Sequence, residues 1–181
     1  GTLWVATEAG LAKLNPDGQT FTTFRHNPLD SSSLSSDNVF CLFEDKQGYL
    51  WVGTLGGGLN RFDRSTQTFS VFKHDPSKSY SISGNVIRAI CEDSSGVLWV
   101  GTRGAGLNRF DRQSKKFTRF LHDEQDSSSL SHNSIYALHI DKQSNLWIGT
   151  QGGGLNKMNQ SPTGSYSFTA FQTDDGLPND V

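Results

Sequence analysis

Apolar and polar positions along residues 39–73 come in short bursts with no helical spacing. VFCLFE at 39–44 is an apolar run rich in aromatic and β-branched residues, and the DKQG after it is a turn whose Gly48 can take positive φ. Residues 49–54 form a second run that ends in three glycines, 59–63 a third that ends at Asp-Arg-Ser-Thr, and 68–73 a fourth. A longer polar loop, HDPSKSYSISGN, follows. No stretch of ten or more residues carries a 3.6-residue period, because Pro, Gly and Ser interrupt every candidate. The pattern predicts four short strands joined by turns.

This unit is repeated. LWVATEAGLAKLN, LWVGTLGGGLNRFD, LWVGTRGAGLNRFD and LWIGTQGGGLNKMN place tryptophans at 4, 51, 99 and 147, at spacings of 47, 48 and 48. FTTFRHNP, FSVFKHDP and FTRFLHDE recur downstream. SSSLSSDNVFCLFED, SYSISGNVIRAICED and SSSLSHNSIYALHID follow them. Four antiparallel strands per repeat of about 40–50 residues is the arithmetic of a β-propeller blade. Blades pack face to face, so strands apolar on both faces are expected, and a tryptophan at a fixed place supplies an inter-blade wedge. The shorter coils of a β-helix fit this period poorly. The expected fold class is all-β, with about four blades forming part of a larger, seven- or eight-bladed propeller. The expected divisions are a first blade lacking its first strand (1–26), full blades at 38–74, 86–122 and 134–172, and the start of another at 177–181. Open blade edges invite pairing with another copy of the chain.

Composition narrows the function classes. A net charge of -2 over 181 residues, scattered in both signs, gives no basic field for nucleic acid or an anionic membrane. No apolar run approaches about 20 residues, so direct membrane insertion is not expected, and no signal-peptide pattern is visible at the N-terminus. Cys41 and Cys91 lie inside apolar runs and read as small core residues rather than metal ligands.

The glycine turn after a strand raises the question of a phosphate loop. Such a loop leads into a helix, whereas here it leads into another strand, recurs in every unit and is followed by no Gly-Lys-Ser/Thr. Gly56, Gly57 and Gly58 therefore read as a hairpin. Ala9 and Ala105 at the middle position indicate that a methyl group is tolerated there. His26, His74 and His122 read as turn caps, and His139 aligns with Phe43 and Cys91 as a core position. Asp45, Asp93 and Asp141, like Asp63 and Asp111, follow the repeat and read as Asx turns. With no HExxH, CxxC or GxSxG, neither enzyme activity nor a cofactor is expected.

Positions that break the repeat are the candidates for function. They are Glu8, Leu55, Arg103 and Gln151 in the glycine turn, Phe40, Arg88 and Tyr136 early in the first strand, and His132 in the loop before it. These positions share one face of a propeller. An aromatic ring, a guanidinium and a phenol at one mouth suit a sugar or peptide ligand.

LWVGTxGGGLNRFD, HDP, SLSxN and the ED-x-x-G-x-LWVGT join closely resemble the two-component regulator propeller repeat of bacterial sensor proteins. The combination is not shared by WD40 or kelch blades, and in kelch the tryptophan lies downstream of the double glycine. The resemblance covers essentially the whole chain. It implies a periplasmic, ligand-binding sensor propeller of an inner-membrane protein, responsive in many relatives to carbohydrate. Its partners would be an oligosaccharide or other small ligand and the protein's own downstream signalling domains, a histidine kinase, hybrid kinase or diguanylate cyclase. A structural or dimerisation scaffold and a propeller enzyme such as a polysaccharide lyase are the alternative readings.

Overall fold

The computed structural model describes residues 1–180. Its first sheet has three antiparallel strands, β1 (Trp4–Thr7), β2 (Gly10–Leu14) and β3 (Phe21–Phe24). Three four-stranded sheets follow, each in simple chain order. They are β4 (Val39–Glu44), β5 (Leu50–Thr54), β6 (Leu59–Asp63) and β7 (Thr68–Phe72); then β8 (Ile87–Glu92), β9 (Leu98–Thr102), β10 (Leu107–Asp111) and β11 (Lys116–Phe120); then β12 (Ile135–Ile140), β13 (Leu146–Thr150), β14 (Leu155–Gln160) and β15 (Tyr166–Phe171). A single 3-10 turn, Thr173–Asp175, follows. Residues 177–180 contain no strand, and Val181, where the expected further blade would begin, lies outside the described residues.

The sheets stack as propeller blades. β4, β8 and β12 lie side by side, with β1 against β4, so the first strand of each full blade is nearest the common centre. Each seam between blades holds its own apolar core. Trp4, Leu11, Val52 and Phe62 fill the first, Trp51, Leu59, Ile87 and Phe110 the second, and Trp99, Leu107, Ile135 and Phe168 the third. The second strands β5 and β9 are buried along their whole length, whereas the first strands are covered only in part. Apolarity on both faces thus belongs most fully to the strand that lies in the middle of the seams.

The tryptophans are the wedges. Trp4 meets Phe62 edge-on at 5.2 Å, Trp51 meets Phe110 at 5.5 Å and Trp99 meets Tyr166 at 5.7 Å, in each case a ring of the following blade. Burial of an indole leaves its N–H needing an acceptor. Asp45, Asp93 and Asp141 accept from Trp51, Trp99 and Trp147 at 2.7, 2.9 and 2.8 Å, whereas the buried Trp4 Nε1 has no partner. The other oxygen of each carboxylate takes backbone N–H groups of the turn, such as Gln47 and Tyr49 on Asp45. The Asx-turn reading therefore describes half of what these aspartates do. Burial pushes the Asp45 carboxyl up, but bonds from Trp51 and Arg112 outweigh it and hold the group below the usual carboxylate value. Arg112 spans the seam at this point, donating to Asp45 at 2.6 Å and to Glu92 at 3.0 Å.

The polar loops between blades are anchored by one apolar side chain each. Leu34, Ile82 and Leu130 are wholly buried in the seams. The backbone carbonyls of these residues accept bonds from His26, His74 and His122 Nδ1 at 2.8, 2.9 and 2.6 Å, so the histidines cap the loop. The next loop residue is fixed by a buried asparagine of the third strand. Asn60 accepts from Ser35 N at 3.0 Å and donates to Ser35 Oγ at 2.7 Å, and Asn108 and Asn156 repeat this on Ser83 and Ser131. His139 departs from expectation. It is exposed, because its side of the fourth blade, unlike that of Cys91 or Phe43, has no following blade against it in this structure.

Ile82→Ala should cost about 2–5 kcal/mol of unfolding free energy in a urea titration, since a wholly buried anchor leaves a cavity in the seam. The Asp141 carboxyl is held down to about 2, first by the Trp147 indole and then by Asn145. A depressed carboxyl stabilises the fold above its unfolded value of about 4, and that contribution is lost as the pH falls towards 2. Denaturation at pH 2–5 should show this decline, with a shallower slope for Asp141→Asn.

Candidate functional site

The three first strands share a defect. β4 pairs Val39 with Thr54 and Cys41 with Gly53, leaving Phe40 as the extra residue of a β-bulge. β8 and β12 shift register between Ile87 and Ala89 and between Ile135 and Ala137, so Arg88 and Tyr136 are the extra residues there. A bulge bends its strand and re-aims one side chain. Repeated at the same rung of three neighbouring strands, it brings three side chains into one column. The Arg88 guanidinium lies 4.6 Å from the Phe40 ring centre and 5.0 Å from that of Tyr136. Phe40 and Arg88 are half-buried and Tyr136 is exposed. The Arg88 Nε is shielded from water and has no hydrogen-bond partner.

The hairpins rise beside this column. Leu55 N donates to Asn38 O at 2.9 Å, Arg103 N to Val86 O at 3.0 Å and Gln151 N to Ser134 O at 2.9 Å, each carbonyl lying just ahead of a bulged strand. Neighbouring blades are joined at the same end by Gly10 N to Asp37 O, Gly58 N to Asn85 O and Gly106 N to Asn133 O. Glu8, Leu55, Arg103 and Gln151 carry exposed side chains on these turns and form the rim. His132 turns inward on its own loop, its Nδ1 accepting from Ser134 N at 3.0 Å. The structure therefore joins Phe40, Arg88 and Tyr136 through their side chains, keeps the four turn residues on hairpins at the same end of the strands, and gives His132 a local bond. No repeat-breaking position announced a bulge, since the sequence shows only which residues fail to repeat.

The glycine turn itself requires a correction. Gly56 and Gly58 have φ of 78° and 83°, but Gly57 has ordinary φ and is needed for a different reason. A methyl group on Gly57 would meet Ser35 Oγ at 2.5 Å, Thr54 Oγ1 at 2.6 Å and Ser36 Cβ at 2.8 Å, and one on Gly153 would meet Ser131 Oγ at 2.6 Å and His132 Cβ at 2.7 Å. In the third blade the arrangement is reversed, with Ala105 in the turn and Gly84 in the facing loop, where an added Cβ would come 2.9 Å from that of Ala105. In each facing pair one of the two residues is glycine. The methyl at 105 is thus not a sign of general tolerance.

Cys41 follows the Phe40 bulge, and burial pushes its thiol up to about 12 despite the nearby Arg88 charge. Burial does the same to Cys91. Both are free thiols, and neither is a nucleophile at neutral pH. Among the described residues no three His, Cys, Asp or Glu side chains are grouped to hold a metal ion. A groove of about 300 Å³ between loop 26–35 and Val71 and Lys73 is lined by none of the column residues. Its polar groups are largely committed to one another, as in the His26–Leu34 and Ser33–Asn27 bonds.

The two component regulator propeller signature matches residues 33–56, 81–104 and 129–152. Three of the repeats are thus two component regulator propeller repeats. Each matched stretch of the regulator propeller runs from the anchored loop through the bulged first strand to the glycine turn. The extracellular domain of a protein classed as a hybrid two component system from B. thetaiotaomicron superposes with a TM-score of 0.80 at 27% identity, over 94% of this chain and 23% of that one. The extracellular domain of a protein classed as a one component system from the same organism gives 0.66 at 23% identity, over 95% and 20%. A virginiamycin B lyase from Staphylococcus aureus gives 0.64 at 15% identity, over 97% and 54%, which is a likeness of fold alone. The regulator propeller chain thus spans about a quarter or less of the two extracellular domains and about half of the lyase. No curated protein matches it in sequence. Among the described residues no helix is long and apolar enough to cross a membrane.

Gly57→Ala should destabilise the chain by about 1–3 kcal/mol through overpacking, and adding Ser36→Gly should recover part of that loss by recreating the Gly84–Ala105 pair, the contacts with Ser35 Oγ and Thr54 Oγ1 remaining. Urea midpoints of the two single variants and the double variant measure the coupling.

Proposed function

We propose that the chain is a non-catalytic, ligand-binding segment of the extracytoplasmic sensor propeller of a bacterial two-component-type signalling protein. The observation that carries this reading is the column of Phe40, Arg88 and Tyr136. Three bulges of one geometry present three unlike side chains at one end of the inner strands. A scaffold has no use for unlike residues where everything around them repeats. The rim of Glu8, Leu55, Arg103 and Gln151 adds a further unlike set on exposed turns, suited to a saccharide through stacking and hydrogen bonds. The regulator propeller signature and the likeness to an extracellular domain of a hybrid two component system support the setting. The repeated aspartates and both cysteines are occupied structurally, which supports a site that binds without reacting. Output would pass to signalling domains of the same protein.

Calorimetric titration of neutral and acidic oligosaccharides into the chain tests the proposal. Saturable binding that Arg103→Ala or Arg88→Ala weakens at least tenfold is expected, with the saccharide recovered uncleaved. A broad panel with no binding would favour the scaffold, and turnover would make the chain an enzyme.

A further inference from the structure

The arginines of this chain differ in what occupies them. Arg64 is paired with Glu44 at 2.7 Å, and Arg112 with Asp45 and Glu92. Arg119 donates to Ser81 O, Ser81 Oγ and Lys78 O. Arg61 and Arg109 share with Arg88 an Nε that lacks a partner, but they stand opposite Trp51 and Trp99 at a repeated position, where the first and fourth blades have Lys13 and Lys157 opposite Trp4 and Trp147. Their placement is a property of the blade. Arg88 belongs to no such series, since its counterparts are Phe40 and Tyr136.

A guanidinium is a flat cation whose donors all lie in its own plane. At Arg88 the two rings lie within stacking distance of that cation, at 4.6 and 5.0 Å. What stacking leaves available is the edge, where the N–H groups point. The Nε–H is shielded from water and has no acceptor, while the residue as a whole stays partly exposed. Among the described residues no carboxylate is ion-paired with Arg88. The partner that fits such an edge is a planar oxyanion that takes two parallel N–H bonds.

We propose that Arg88 binds a ligand carboxylate through its in-plane edge, with Phe40 and Tyr136 holding the guanidinium in position, so that the ligand of this propeller is acidic. This deepens the ligand-binding reading given above and rests on it. The carboxylate could be a uronic acid within a saccharide or a free organic acid, and the experiment separates these sources.

Digalacturonic acid, its neutral methyl diester and glutarate are titrated calorimetrically into the chain at pH 7 and 0.15 M salt. Digalacturonate should bind saturably, with the diester at least tenfold weaker, because bonds to an ionised group are roughly twice as strong as neutral ones. Arg88→Gln and Arg88→Lys should each weaken digalacturonate at least tenfold, the lysine keeping the charge but losing the fork. A thermal melt of each variant distinguishes lost binding from lost fold, and Arg88→Lys serves if Arg88→Gln does not fold. Glutarate binding as tightly as digalacturonate would support the carboxylate and identify the source as a free acid, whereas selectivity for digalacturonate would identify a saccharide. Equal binding of acid and diester, or acid binding unchanged in folded Arg88 variants, would overturn the inference and leave the ligand-binding reading standing. No binding by any of the three probes would overturn it as well, and a neutral saccharide bound elsewhere on the rim would then be all that kept the broader reading.

Discussion

In each full blade the tryptophan N–H donates to an aspartate six residues earlier, and at Trp51 and Trp99 that indole is buried in a seam. Nearly everything else in the chain follows from that bond. The same carboxylate closes the turn between the first and second strands, so the turn and the wedge are set by one group. With the indole fixed, the next blade has a rigid apolar surface to pack on, and Phe110 or Tyr166 meets it edge-on. At one seam Arg112 of the third blade reaches the aspartate of the second and adds a polar lock to an apolar contact.

Fixed seams bring the inner strands into alignment, and alignment gives the bulges their effect. A single bulge would aim one side chain towards the centre. Three at one rung aim three residues at a common column, which positions 40, 88 and 136 form although 48 residues separate each from the next. The backbone here is uniform and the chemistry is not. The repeat supplies the geometry, and variation at a few places within it supplies a chemically uneven surface.

The strands and their order were legible in the sequence because they rest on local patterns. Apolar bursts, Gly48 at a turn and the tryptophan period each have a direct physical meaning. Phe40, Arg88 and Tyr136 could also be singled out, because they break a repeat that is otherwise kept. Their stacking could not be read, since it depends on an extra residue in each strand whose only trace is a shift in hydrogen-bond register. The loop anchors Leu34, Ile82 and Leu130 are hard to read from sequence for another reason. One apolar residue in a polar loop carries no periodicity, and only its return at the same place in every unit marks it. His139 shows the converse limit, since alignment gives a position within a blade but not whether a neighbour covers it.

The paired positions 36 and 57, 84 and 105, and 132 and 153 also bear on how such a chain can change. In each pair at least one member is glycine, but which one differs from blade to blade. Repeated sequence is prone to unequal crossing-over, which exchanges segments between copies. An exchange with its break between the two members could set Ala105 against Ser36 or His132, two side chains in a space that holds one. Breaks outside the pair would carry loop and turn across together. The unit that can be shuffled without loss is therefore not the sheet that the eye picks out but the stretch from the anchored loop to the glycine turn. The regulator propeller signature covers nearly all of that stretch but ends at 56, 104 and 152, one residue short of the second member of each pair.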